Sequence, residues 1–226
     1  MYDSFYFIHI PKNSGRSFSY IIKNMQLIDD EIEVINAKYP MHAGWTPIAE
    51  KMYLMTTWRE PASRTVSHFI HSKGILEKMP SKEELFKWVE ENKKVMSDYQ
   101  SRNILFESKD FLNLEKKGLF PEEDLLFMAP VMDRTKVWER INKINLILKW
   151  DSGSTWNFDI IGKKLADDLW LREKWSDKIG SSPLITSNKF SKELYKSLNK
   201  SEIDLLNKIS PLDYEIYNSD IFWKEI

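Results

Sequence analysis

The chain has 226 residues, 42% hydrophobic, 13% aromatic and 30% charged, and its 33 Lys+Arg against 34 Asp+Glu leave a formal net charge of −1. That is a globular composition, long enough to bury on the order of 70–75% of the extended surface without a metal or disulfide staple. Balanced charge argues against a general nucleic-acid coat, and the absence of cysteine removes disulfides, thiolate zinc sites, iron–sulfur clusters and cysteine nucleophiles.

The predicted elements alternate early and turn helical late. Phe5–Ile10 reads as a central parallel strand, apolar on both faces. A loop over Pro11–Gly15 leads into a helix over Arg16–Met25, with Phe18, Ile21, Ile22 and Met25 along one side. Ile32–Asn36 is a short second strand, and Met52–Trp58 a third, rich in apolar and β-favouring residues. Pro61 suits the first position of a helix over Ala62–Ser72. Helices are then expected at Lys82–Asn92, Pro121–Leu126, Asp133–Asn142, Ile160–Lys174, Ser191–Lys200 and Ser201–Ile209, with a late strand at Leu146–Trp150. The fold class is therefore α/β: a central parallel sheet flanked by helices, with a helical C-terminal part. No repeat or Pro/Gly/Ser-rich linker divides the chain, so residues 1–226 are expected to form one domain. No run reaches the ~20 apolar residues of a membrane span, and the start lacks a basic signal-peptide segment. A cytoplasmic protein with no membrane partner is expected.

Two constellations carry chemistry. After the first strand comes Pro11-Lys12-Asn13-Ser14-Gly15-Arg16-Ser17-Phe18, then the helix. A strand-to-helix turn aims several backbone N–H groups at one spot, where the helix dipole favours an anion. Gly15 permits close backbone approach, Ser17 adds a hydroxyl and Lys12 a cation. The lysine precedes the glycine, so this is not a Walker A loop, nor is G-x-G-x-x-G present. An ordinary strand–helix connection with a surface lysine fits the same residues. The second constellation is Arg59-Glu60-Pro61-Ala62-Ser63-Arg64-Thr65-Val66-Ser67. Arg59 falls at the carboxyl end of a strand, where open α/β sheets bind ligands, and Ser67 lies about two helical turns on. A guanidinium suits bidentate recognition of a phosphate. Pairing of Arg59 with Glu60, or capping of a neighbouring helix, is the competing role.

Together the two segments resemble the PAPS-dependent sulfotransferases, in particular the branch with glycan 2-O-sulfotransferases and small bacterial relatives. Pro11-Lys12-x-x-Gly15-x-Ser17-Phe18 is similar to the family's 5′-phosphosulfate loop, and Arg59-Glu60-Pro61-x-x-Arg64-x-x-Ser67 to its 3′-phosphate motif. Tyr99-Gln100-Ser101-Arg102 resembles an N-x-Q-x-R segment near the family's active site. Ser187-Asn188-Lys189-Phe190-Ser191, followed by Asp213-Tyr214-Glu215-Ile216-Tyr217, resembles its C-terminal pattern. A G-x-x-E stretch of the family is missing around Phe127–Arg134.

The resemblance implies a P-loop-like sulfotransferase fold and 3′-phosphoadenosine 5′-phosphosulfate as donor, with 3′,5′-diphosphoadenosine as product and no required metal. It implies Lys12 as the cation that neutralises the leaving phosphate oxygen, and N–H groups of Asn13, Ser14, Gly15, Arg16, Ser17 and Phe18 on the 5′-phosphate. Arg59 and Ser67 would clamp the 3′-phosphate, with Lys189 an extra cation. His42, in Met41-His42-Ala43-Gly44-Trp45, stands where the family carries its catalytic histidine, and imidazole titrates near working pH. Gln100 and Arg102 would lie near the acceptor, and Trp45 and Trp150-Asp151 are the aromatics suspected of touching it. The remaining tryptophans are expected in the core. His9 is expected as a core residue, and His68 and His71 as solvent-exposed. Those two share a helix face but lack an H-E-x-x-H signature, so no metal site is expected. The charge runs Lys82-Glu83-Glu84, Glu115-Lys116-Lys117 and Lys163-Lys164 read as solvated faces.

Without an evident basic groove, the expected acceptor is a small molecule, for example a bacterial natural product such as a guanidinium alkaloid, rather than a sulfated polysaccharide. An ATP-dependent small-molecule kinase and a non-catalytic nucleotide-binding module are the alternatives. The first would need Mg²⁺, and the second would be indifferent to loss of His42.

Overall fold

The structure is a computed structural model that describes residues 4–10, 12–13, 33–34, 45, 52–74, 76–107, 132–150, 161, 164–165, 167–168 and 189–222. Its strands are β1 (Ser4–Ile8), β2 (Glu33–Val34), β3 (Tyr53–Arg59) and β4 (Leu146–Trp150). Its helices are α1 (Pro61–Ser72), α2 (Lys82–Met96), α3 (Tyr99–Leu105), α4 (Arg134–Ile141), α5 (Lys189–Ser197), α6 (Lys200–Lys208) and α7 (Pro211–Tyr217). The strands form one parallel sheet in the order β2-β1-β3-β4. The molecule is thus α/β with a parallel sheet and a run of helices at its C-terminal side, as the patterning predicts. The predicted helices at 16–25 and 121–126, and most of that at 160–174, lie outside the described residues.

Burial explains why β1 and β3 take the two inner positions. Every residue of β3 is buried, as are Phe5 to Ile8 of β1. Side chains alternate faces along a strand. On one face Tyr6, Ile8, Leu54 and Trp58 join Ile147 of β4 in a cluster completed by Tyr99, Ile104, Val137, Ile141, Leu212 and Ile216 from α3, α4 and α7. Residues of the other parity, Phe5, Phe7, Tyr53 and Met55, are no more than 2% exposed. A second cluster joins Ala62, Val66, Phe69 and Ile70 of α1 to Leu85 and Val89 of α2, Leu194 of α5 and Leu206 of α6. The register pairs Ile8 with Thr56, so the chain leaves β1 and β3 at the same edge of the sheet.

The local signals at the helix ends are chemical. Pro61 opens α1, and Gly74, at φ +71°, closes it with its N–H donated to the His71 carbonyl, a backbone region that glycine enters without steric cost. Ser81 and Glu84 form a capping box at the start of α2, and Asn199 and Glu202 another at α6. Glu83 and Glu84 are exposed and Lys82 is half-buried, so Lys82-Glu83-Glu84 is a solvated face that also carries these contacts. Glu84 accepts the Ser81 N–H at 2.7 Å, and Lys82 pairs with Glu202 at 2.8 Å across α2 and α6. His68 departs from expectation: it is half-buried, against Trp88 and edge-on to Tyr99, with Nδ1 3.3 Å from Arg64. His71 is exposed, and His9 is half-buried and stacks on Phe7. Among the described residues no helix is long and apolar enough to cross a membrane.

Candidate functional site

The site grows from the shared edge where β1 and β3 end. Beyond β1, Lys12 turns the chain with φ +67°, a left-handed conformation that is uncommon and mildly strained for a residue with a side chain. Asn13 then folds back beneath the turn and is wholly buried. Its N–H goes to the Ile10 carbonyl at 3.2 Å, and its Nδ2 donates to the Thr57 carbonyl at 2.8 Å and to Gln100 Oε1 at 2.5 Å. The Thr57 hydroxyl donates in return to the Asn13 carbonyl. Asn13 therefore serves as the rivet that fixes the loop to β3. This differs from its expected place among the phosphate-facing N–H donors, because that N–H is already engaged.

Gln100 extends the rivet. It is buried at the start of α3, accepts the Arg59 N–H at 3.0 Å and donates Nε2 to the Arg59 carbonyl at 2.8 Å. The carboxamide thus pairs with the last residue of β3 much as a neighbouring strand would, while also holding Asn13. All of this chemistry faces inward, so Gln100 braces the two constellations instead of contacting an acceptor. Trp45 also turns out to be a core residue. It is 7% exposed, receives the Arg140 guanidinium 5.2 Å from its ring, and pairs with Phe106 and Glu107. Arg102 donates to the Lys94 carbonyl at 3.3 Å.

Arg59 is the charged centre. It is 6% exposed, with Nε donating to Ser63 Oγ at 2.9 Å and Nη1 to the Lys12 carbonyl at 3.0 Å. Among the described residues no carboxylate forms an ion pair with it. Burial, and then the nearby Arg64, push its pKa down to about 10, with Glu60 and Tyr195 offsetting part of the effect. It still carries its charge at neutral pH. A buried cation without an anion costs several kcal/mol of desolvation, which a bound oxyanion offsets. Arg64, 2% exposed, lies with its guanidinium carbon 3.4 Å from the centre of the Tyr99 ring, adding a second positive group to the first turns of α1.

The two sequence constellations therefore meet: the Lys12 carbonyl and the Arg59 guanidinium share a hydrogen bond. Ser67 lies half-buried on α1, but the guanidinium's own serine partner is Ser63, one turn from Arg59. Lys189 opens α5 with its side chain 83% exposed, 3.8 Å from Glu193, and the described contacts do not tie it to Arg59. The Trp150 carbonyl accepts the Glu60 N–H at 3.3 Å, bringing the end of β4 to the same edge. His42, Ser14, Gly15, Arg16, Ser17, Phe18 and Asp151 lie outside the described residues. Sequence reasoning missed Thr57, Ser63, Tyr195 and Asn207. Ser63 was accessible as a residue of the first helical turn four positions after the strand-ending Arg59; the other three arrive through long-range packing that no local pattern announces. Comparison of the chain with family models, curated proteins and solved structures returns no match.

Proposed function

We propose that the chain is a PAPS-dependent sulfotransferase that moves a sulfuryl group to a hydroxyl or amino group of a small molecule. The observation that carries this reading is the buried Arg59 guanidinium, without a carboxylate partner among the described residues and hydrogen-bonded to the backbone of Lys12. A nucleotide with phosphates on both its 3′ and 5′ positions presents anions to both constellations at once. When bound, the donor supplies an activated sulfuryl group for in-line transfer, a reaction in which positioning and charge stabilisation dominate. In this reading Lys12 neutralises charge arising on the leaving phosphate oxygen. The N–H groups of residues 14–18 hold the 5′-phosphate, Arg59 with Ser67 holds the 3′-phosphate, and His42 accepts the acceptor's proton. Titration calorimetry with 3′,5′-diphosphoadenosine, ADP and AMP, without added metal, tests it. Preference for the first by at least about tenfold, roughly 1.4 kcal/mol, is expected. Equal affinity for ADP, or binding only with Mg²⁺, rejects the donor and favours a kinase.

A further inference from the structure

Arg59 and Glu60 are adjacent, oppositely charged, and sit where a strand hands over to a helix, so an ion pair between them is the local default. The structure has none. Glu60 Oε2 accepts the Tyr195 hydroxyl, and Oε1 accepts Asn207 Nδ2 at 3.4 Å. The carboxamide of Asn207 is fixed by a second bond, since its Oδ1 accepts the Ala62 N–H at 2.9 Å. Flipping it would forfeit both contacts. Asn207 thereby also caps the first turn of α1, a position that Glu60's own carboxylate would otherwise favour. Glu60 makes no side-chain cap there. Two helices from the C-terminal part, α5 and α6, thus reach back more than 130 residues to grip one carboxylate.

We propose that Tyr195 and Asn207 are positioning residues that tether the Glu60 carboxylate away from Arg59 and so keep that guanidinium open to an external phosphate. The inference rests on reading Arg59 as a phosphate clamp. Releasing the tether lets Glu60 occupy Arg59 as a built-in competitor. Apparent affinity falls by the fraction of molecules in which Arg59 stays open.

The test compares wild type, Tyr195→Phe, Tyr195→Phe/Asn207→Ala, and that double variant with Glu60→Gln added. Calorimetry with 3′,5′-diphosphoadenosine is expected to show about a tenfold loss in the double variant and recovery to within about twofold on adding Glu60→Gln. AMP binding stays unchanged throughout. Tyr195→Phe alone, which keeps the ring's packing, shows a smaller loss in the same direction and serves if the double variant does not fold. A loss that Glu60→Gln leaves uncorrected, or no loss at all, overturns the tether. A second measurement needs no nucleotide: the crystal structure of the double variant is expected to show the Glu60 carboxylate within hydrogen-bond distance of the Arg59 guanidinium. A carboxylate that stays off Arg59 overturns the tether even if the nucleotide binds well. A carboxylate on Arg59 with no preference for the bisphosphate keeps the tether and removes the nucleotide reading.

Discussion

At the scale of single residues, the decisive feature is a buried cation that forms no ion pair with a carboxylate among the described residues. Arg59→Lys keeps the charge but loses the planar fork that holds Ser63 and the Lys12 carbonyl together. Binding of 3′,5′-diphosphoadenosine is expected to weaken about tenfold or more in Arg59→Lys, with AMP affected far less; calorimetry on both ligands reads the difference. Lys12 offers its backbone to Arg59, so Lys12→Ala preserves that bond while removing the charged side chain. Turnover is expected to drop by about two to three orders of magnitude with the thermal midpoint nearly unchanged. Full sulfuryl transfer by the Lys12→Ala variant would reject the role proposed for that side chain.

At the scale of elements, α3 and α7 are held together by two aspartates that cap one another's helices. Asp98 Oδ1 accepts the N–H groups of Leu212 and Asp213 at the start of α7. Asp213 accepts those of Gln100 and Ser101, with the Ser101 hydroxyl at 2.5 Å, at the start of α3. Burial, and then the charge of Asp98, push the Asp213 pKa up to about 6 from 3.8, and burial raises that of Asp98 too. A raised carboxyl pKa means the native state holds its proton more tightly than the unfolded chain. The contribution is fully present below pH ~3.8 and is lost as pH rises through ~6. For Asp213 it amounts to about 3 kcal/mol. The exposed Glu83 and the half-buried Glu202 shift downward and oppose it weakly. Urea unfolding should therefore show stability declining from pH 5 to pH 7, and Asp213→Asn should flatten that decline. A wild-type profile that is flat or rising over this window contradicts the assignment. In the same unit, Gln100→Leu leaves both backbone groups of Arg59 and the Asn13 amide short of a partner, at a cost of about 3 kcal/mol in urea unfolding.

What could be read from the chain divides along this same line. β1, β3, β4, α1 and α4 are written in local pattern, in continuous apolar runs, a proline at a helix start and helical spacing, and they lie within a few residues of expectation. The meeting of Lys12 and Arg59 was legible because Arg59 ends and Lys12 follows a strand of one parallel sheet, so both fall at the same edge. α3 and α7 were not legible as helices. Each is seven residues long, too short for a periodic stripe, and each is stabilised by a carboxylate more than a hundred positions away. Gln100 and Trp45 looked like surface contacts for the same reason. Residue type cannot reveal that a polar group is matched inside by Asn13, or that an indole lies under Arg140.

At the scale of the whole molecule, the C-terminal helices serve the sheet edge directly. Trp58 donates its indole N–H to the Asp213 carbonyl at 3.1 Å, Asn207 holds Ala62, and Ser210 joins the Met96 carbonyl to the Asp98 N–H. Removing residues 198–226 would expose Trp58, Ile104 and Leu206's partners in both apolar clusters and orphan α1's first turn. Such a truncation is expected to lose cooperative unfolding and become protease-sensitive, which limited proteolysis and circular dichroism would record. Retention of a sharp thermal transition would contradict that dependence.

These long-range grips also set a timetable for synthesis. A nascent chain carries Lys12 and Arg59 outside the ribosome early, yet the braces for Gln100, Ala62 and Glu60 come from positions 195 to 213. Until that stretch clears the exit tunnel, the edge has no finished shape. Any ligand that binds there arrives only after the chain has been made through position 213.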